Sequence, residues 1–174
     1  MRKIVKYLLS LIIAIIIVML IQAFILIGAV VHSNQMSPAL HQDDRILVSK
    51  VQTTFNQIHN SDIIMYRHQG RIYFGRVIGT PGESVEIKAG QLYRDDQQVH
   101  ESYQVQHPIQ TLALRNIKHS EGDILAPKHY LILNDDRSDL NDSRKFGTIH
   151  QQDIVGTVFL RYYPWRDFKI SFNE

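Results

Sequence analysis

The densest collection of groups able to do chemistry in this 174-residue chain is Asn134 to Gly147, NDDRSDLNDSRKFG, directly after the strand-like run HYLIL. Asp-rich loops of this kind are commonly solvated turns, and they can also imitate a calcium loop. Calcium fits poorly, because the stretch lacks the glycine at the sixth position and the bidentate glutamate at the twelfth that such a loop needs. Asp142 and Arg144, two apart on what reads as an extended segment, share a face and would stiffen a loop bordering a site. Nine histidines, at 32, 41, 59, 68, 100, 107, 119, 129 and 150, show no H-x-H or H-E-x-x-H spacing, so no metal site is expected. Cysteine is absent, which removes disulfides, thiolate zinc and a thiol nucleophile. With no G-x-S-x-G elbow, P-loop or dinucleotide fingerprint, no cofactor is expected either.

These groups must be held by two very different parts of the chain. From Leu8 to Val31 the sequence LLSLIIAIIIVMLIQAFILIGAVV is free of charge. As a helix it would cover roughly 36 Å, enough for a ~30 Å hydrocarbon core. Its length and the lack of a clean A-x-A site favour a retained anchor over a cleaved signal peptide. Arg2, Lys3 and Lys6 precede it and no further Lys or Arg occurs before Arg45, which places the N-terminus in the cytoplasm. The expected organisation is a cytoplasmic N-terminus over 1–7, a transmembrane helix over 8–31 and an extracytoplasmic domain over 32–174, at the cell membrane. From His32 onward there are 16 basic and 17 acidic residues, net −1, without a basic run, so nucleic acid is excluded as a partner on electrostatic grounds.

The outer part carries short runs rich in β-branched and aromatic residues, bounded by turn signals. Strands are predicted over 45–51, 62–67, 72–78, 84–87, 91–94, 129–133 and 154–162. Thr80-Pro81-Gly82-Glu83 reads as a type II turn and Ala89-Gly90 as a hairpin tip. Residues 103–121 have weak periodicity and read as a long excursion between strands. The fold class is therefore mainly β, an antiparallel sheet domain behind one transmembrane helix.

Four ordered boxes in this frame resemble the type I signal peptidases, membrane-anchored serine peptidases that use a Ser-Lys dyad. Residues Ser33 to Leu40, SNQMSPAL, resemble the family's S-M-x-P-T-L box. Asp62 to Tyr66, DIIMY, resembles G-D-[IV]-V-x-F. Gly75 to Glu83, GRVIGTPGE, resembles K-R-[VI]-[IV]-G-x-P-G-D. Asn134 to Gly147 resembles G-D-N-R-x-x-S-x-D-S-R-x-[FW]-G, and Asp153-Ile154-Val155-Gly156 matches the strand that usually follows. The single span is of the Gram-positive type.

The departures from that pattern concern the reacting groups. The nucleophilic serine falls on Gln35, the general-base lysine on Gly75, and the serine that orients the lysine amine on Leu140. The chemistry needs a hydroxyl to attack the carbonyl and a neutral, desolvated amine to take its proton. A carboxamide and a hydrogen atom supply neither. The resemblance therefore implies a catalytically inactive homologue, not an enzyme, which binds secretory signal peptides or regulates an active paralogue. Ser33 and Met36 would remain from a peptide groove, with Asp142 and Arg144 as structural neighbours. The alternative is an active protease with a relocated dyad, Ser33 or Ser37 as nucleophile and Lys50 or a histidine as base, which requires the new base within about 3 Å of the hydroxyl.

Overall fold

Two kinds of apolar pattern divide the chain, and the computed structural model, which describes residues 2–120 and 122–172, gives each its own architecture. The first segment is one helix, α1 (Arg2–Phe24). At 1.5 Å per residue it covers roughly 34 Å. Among the described residues it is the one helix long and apolar enough to cross a bilayer.

The helix ends before the apolar run does, which corrects the span expected over 8–31. Leu26–Val30 is a strand, β1, paired antiparallel with β2 (Arg45–Ser49) from Leu26 opposite Ser49 to Val30 opposite Arg45. Lys50 N–H donates to the Ile25 carbonyl at the turn between helix and strand. A run of apolar residues serves a lipid-facing helix and a strand with one buried face equally well, so composition does not mark the boundary. What decides it is tertiary: Ile27 and Ala29 pack against the core, and β2 supplies a ladder.

The chain continues through α2 (Val51–Thr54), β3 (Ile63–His68), β4 (Arg71–Gly79), β5 (Val85–Lys88), β6 (Gln91–Arg94), β7 (Gln97–Val99), β8 (Thr111–Ala113), β9 (His129–Leu133), α3 (Ser143–Phe146), β10 (Ile149–His150), β11 (Ile154–Tyr163) and β12 (Lys169–Ile170). The large sheet runs β1-β2-β11-β3-β4-β9-β10 with β12 beside β11, and a second sheet runs β7-β6-β5-β8. Every strand pair is antiparallel. The turn at 80–83 closes with Glu83 N–H on the Thr80 carbonyl at 3.2 Å, and Gly82 adopts φ +91°, the left-handed region that a type II turn requires. The 103–121 excursion is packed rather than loose. Its β8 completes the small sheet against β5, and Tyr103, Leu112, Leu114 and Ile117 are buried. Residue 121, its last, lies outside the described residues.

The central strands are buried on both faces, and their alternation sorts side chains into separate clusters. On β3, Ile63 and Met65 face a cluster with Met36, Leu40 and Phe74, whereas Ile64 and Tyr66 face one with Val77 and Ile132. Ile78, Leu131 and Leu133 turn toward the small sheet and share a core with Val85, Ile87 and Leu92.

Candidate functional site

After β1 the chain makes a compact turn that carries Gln35. Ser37 N–H donates to the Asn34 carbonyl at 2.9 Å and Leu40 N–H to the Met36 carbonyl at 2.8 Å. Met36 and Leu40 are fully buried beneath the turn and fix its position. This corrects the expectation that Met36 lines a groove, because its side chain belongs to the core. Ser33 stays half-buried two residues before Gln35.

Gln35 itself is buried, 7% exposed. Its side-chain Nε2 donates to the Phe74 carbonyl at 2.7 Å, and its own main-chain carbonyl accepts Asp136 N–H at 3.0 Å. One residue therefore ties the turn to β4 on one side and to the acidic loop on the other. Gly75 follows Phe74 directly, so the structure brings the positions 35 and 75 together. A Cβ built on Gly75 would fall inside the van der Waals shell of Ile132 Cγ2 and lie 3.5 Å from Tyr66 Cε1. Gly75 is not in the left-handed region, so its backbone makes no demand for glycine; the neighbouring volume does.

The direction of the Phe74 carbonyl follows from strand alternation. Val77 donates to Asp62 and accepts from Ser61, so its backbone groups face β3. Phe74, three residues away, presents its N–H and C=O to the opposite edge. β9 covers that edge only over Arg76 to Gly79. Beyond it, Gln35 occupies the Phe74 carbonyl.

The acidic loop is organised by three arginines. Arg76 forms a bidentate pair with Asp135, Nε–Oδ1 2.7 Å and Nη2–Oδ2 2.6 Å, with both side chains fully buried. Its Nη1 donates to the carbonyls of Ser61 at 2.8 Å and Phe172 at 2.7 Å, and the Tyr103 ring lies 4.0 Å from the guanidinium carbon. Burial pushes the Asp135 carboxyl above the usual carboxylate range while Arg76 pulls it down. Asp136 is shifted the other way, held below that range by the Ser138 hydroxyl, with the Ser138 N–H and His107 adding to it. Arg137 pairs with Glu101 at 3.0 Å.

Asp142 and Arg144 are paired at 2.6 Å, but not on an extended segment as expected. Asp142 is the N-cap of α3, accepting the Arg144 N–H at 3.0 Å, and it also accepts Asn134 N–H at 3.0 Å. Arg144 then reaches back to the carbonyls of Arg137 and Asp139, both at 2.6 Å. The Ser143 hydroxyl accepts Ile132 N–H at 2.9 Å and pins β9 to the loop. Leu140 is 57% exposed, so its side chain turns outward from this network.

A relocated dyad of Ser33 with Lys50 has no geometric support. Lys50 sits where β2 meets the end of α1, whereas Val31, two residues before Ser33, bonds Asp44 at the other end of β2. The five residues of β2 separate them by roughly 17 Å, beyond the reach of a lysine side chain. Among the described residues no group of three or more His, Asp or Glu side chains is arranged to hold a metal. Sequence reasoning missed Phe74, Ile132, Tyr66 and Tyr103 as neighbours of the site. Their roles depend on register between strands distant in sequence, which the strand expected over 72–78 does not reveal.

A model of the family described as signal peptidase, peptidase S26, matches residues 4–165. The chain is 48% identical over 174 residues, the full length of both, to a protein named inactive signal peptidase IA from Staphylococcus aureus strain COL. It is 28% identical over 192 residues, 99% of this chain and 96% of the other, to signal peptidase IB of the same strain. The crystal structure of a signal peptidase I from Enterococcus faecalis V583 superposes with TM-score 0.51 and 27% identity, covering 57% of this chain and 95% of that one.

Proposed function

The chain belongs to the signal peptidase family, peptidase S26, as a catalytically inactive homologue, and from that premise we propose that its inactivity resides at Gln35 and Gly75. The observation that carries this assignment is the Gln35 Nε2 bond to Phe74, which sets the side chain of 35 beside the backbone of 75. Acyl transfer by a Ser-Lys pair needs an oxygen nucleophile and a neutral amine at contact distance. Here an amide is already committed as a donor, and opposite it there is no side chain. Neither position can be recruited by a shifted pKa.

The non-hydrolytic role that the geometry supports is binding of secretory signal peptides in extended form. The edge of β4 before Arg76 has no ladder partner in β9, so Ile72 and the Phe74 N–H face outward from the sheet. An added strand uses such groups without a nucleophile. Regulation of an active paralogue would follow from competition for the same peptides. The single apolar N-terminal helix is of the anchor type, and its basic flank supports a cytoplasmic N-terminus with the β domain outside. Exposed Tyr163, Trp165, Phe168 and Ile170, on and beside β11 and β12 and separated from β1 by β2, suit a domain lying against the lipid surface.

The test is to incubate the purified full-length protein in detergent with a secretory precursor and, separately, with a fluorescent signal peptide. The expected result is no cleavage and saturable anisotropy. Cleavage by the unmodified protein that survives removal of contaminating proteases overturns the assignment.

A further inference from the structure

Gly75 pairs with Ile64 of β3, one residue before the ladder to β9 begins at Arg76, inside a strand where glycine weakens pairing and packs nothing. Its backbone does not use glycine's conformational freedom. The reason for glycine is therefore on the other side of the contact, at Ile132. That residue is fully buried, its N–H is held by the Ser143 hydroxyl, and it pairs with Val77 across the sheet. Cγ2 is bonded directly to Cβ, so it can leave the space above Gly75 only by rotation about χ1. Such a rotation drives the branch into a cluster already filled by Tyr66, Val77, Tyr130 and Ile149. β-branched side chains have few alternative rotamers, and dense cores resist such displacement.

We propose that Ile132 keeps position 75 closed: its γ-methyl occupies the volume that any side chain at 75 would need. Restoring the two reacting groups alone then returns no hydrolysis. This rests on the reading of Gln35 and Gly75 as the reacting positions. With those groups restored, a serine Oγ–carbonyl bond forms as the lysine amine takes the hydroxyl proton. The amine then returns it to the departing amide nitrogen as the C–N bond breaks, and water releases the acyl group. Each transfer needs the amine inside the space that Ile132 fills.

Two measurements on the full-length chain in detergent separate the inference from the reading beneath it. In thermal melts, Gly75→Ala lowers the melting temperature by about 5 °C or more in the native background and is neutral or stabilising with Ile132→Ala, where it fills the space left by Ile132. An equal loss in both backgrounds overturns the proposal. In precursor cleavage, the combination Gln35→Ser, Gly75→Lys and Leu140→Ser is compared with and without Ile132→Ala. Processing at least ~100-fold faster with Ile132→Ala supports the proposal, that being the scale of a positioned general base. Equal, easily measured processing in both overturns it and leaves the assignment of the reacting positions standing. Processing by the unmodified protein overturns that assignment instead. If neither combination cleaves, the sign of Gly75→Ala in the two melts decides.

Discussion

Arg76 and Asp135 meet fork on fork between β4 and the loop after β9, with neither side chain reaching solvent. Nη1 donates to the carbonyls of Ser61 and Phe172, so one side chain joins β4, the turn before β3 and the C-terminal segment. Breaking such a pair strands a buried charge, at a cost of roughly 3–5 kcal/mol. Asp135→Ala is expected to destabilise the protein by that amount in chemical denaturation. Replacement of both partners by apolar residues is expected to cost clearly less than Asp135→Ala alone. An Asp135→Ala variant as stable as the parent removes the pair from the account of the fold.

Gln35 is expected to matter for stability although it takes no part in turnover. Gln35→Ala loses the bond to Phe74 and exposes that carbonyl, for a loss of about 1–2 kcal/mol measured by urea unfolding. The same change frees an acceptor on the open edge of β4. Signal-peptide affinity should therefore rise while stability falls. A variant that loses affinity in proportion to its stability contradicts the proposed docking edge.

Tyr66 gives a signature at high pH. Its ring is fully buried, its hydroxyl has no hydrogen-bond partner among the described residues, and burial pushes its pKa far up, with the Asp142, Tyr73 and Asp139 charges adding to the shift. A raised pKa in the folded state contributes stability that is full below the unfolded value and declines as pH climbs past about 10. Denaturation followed from pH 9 to 11 should show that decline, with a smaller slope in Tyr66→Phe. At neutral pH the same variant should be more stable by about 1 kcal/mol, because it removes an unpaired buried hydroxyl. A destabilised Tyr66→Phe contradicts this.

Asp142 combines an N-cap, a bond to the Asn134 N–H and the pair with Arg144. Asp142→Ala is expected to cost about 3 kcal/mol and to speed amide exchange through 134–144, since the cap and a charged partner go together. Asp142→Asn should retain part of the cap and fall between. Exchange confined to α3 alone would show that the loop is held by other contacts.

The parts legible in the sequence and those hidden from it differ by physical cause. β2, β4, β9 and β11 stand out because each contributes β-branched and aromatic residues to buried faces. β10 and β12 are two residues long, and no period can show in two residues. β1 was hidden for the opposite reason, its apolar residues being continuous with those of the helix. The neighbourhood of positions 35 and 75 was readable through the family boxes, but Phe74 as acceptor and Ile132 as occupant depend on cross-strand register. The pairing of Asp142 with Arg144 was visible in residue type. Its helical setting was also signalled, since an aspartate before Ser-Arg-Lys-Phe is a good N-cap.

Only Ile25 separates the last turn of α1 from the ladder of β1. There is no stalk. The eleven residues from helix end to Gln35 reach about 37 Å at full stretch, and five of them are locked in a strand. The short connection keeps the domain close to the end of the apolar helix, so its excursions are limited to the few residues left outside the ladder.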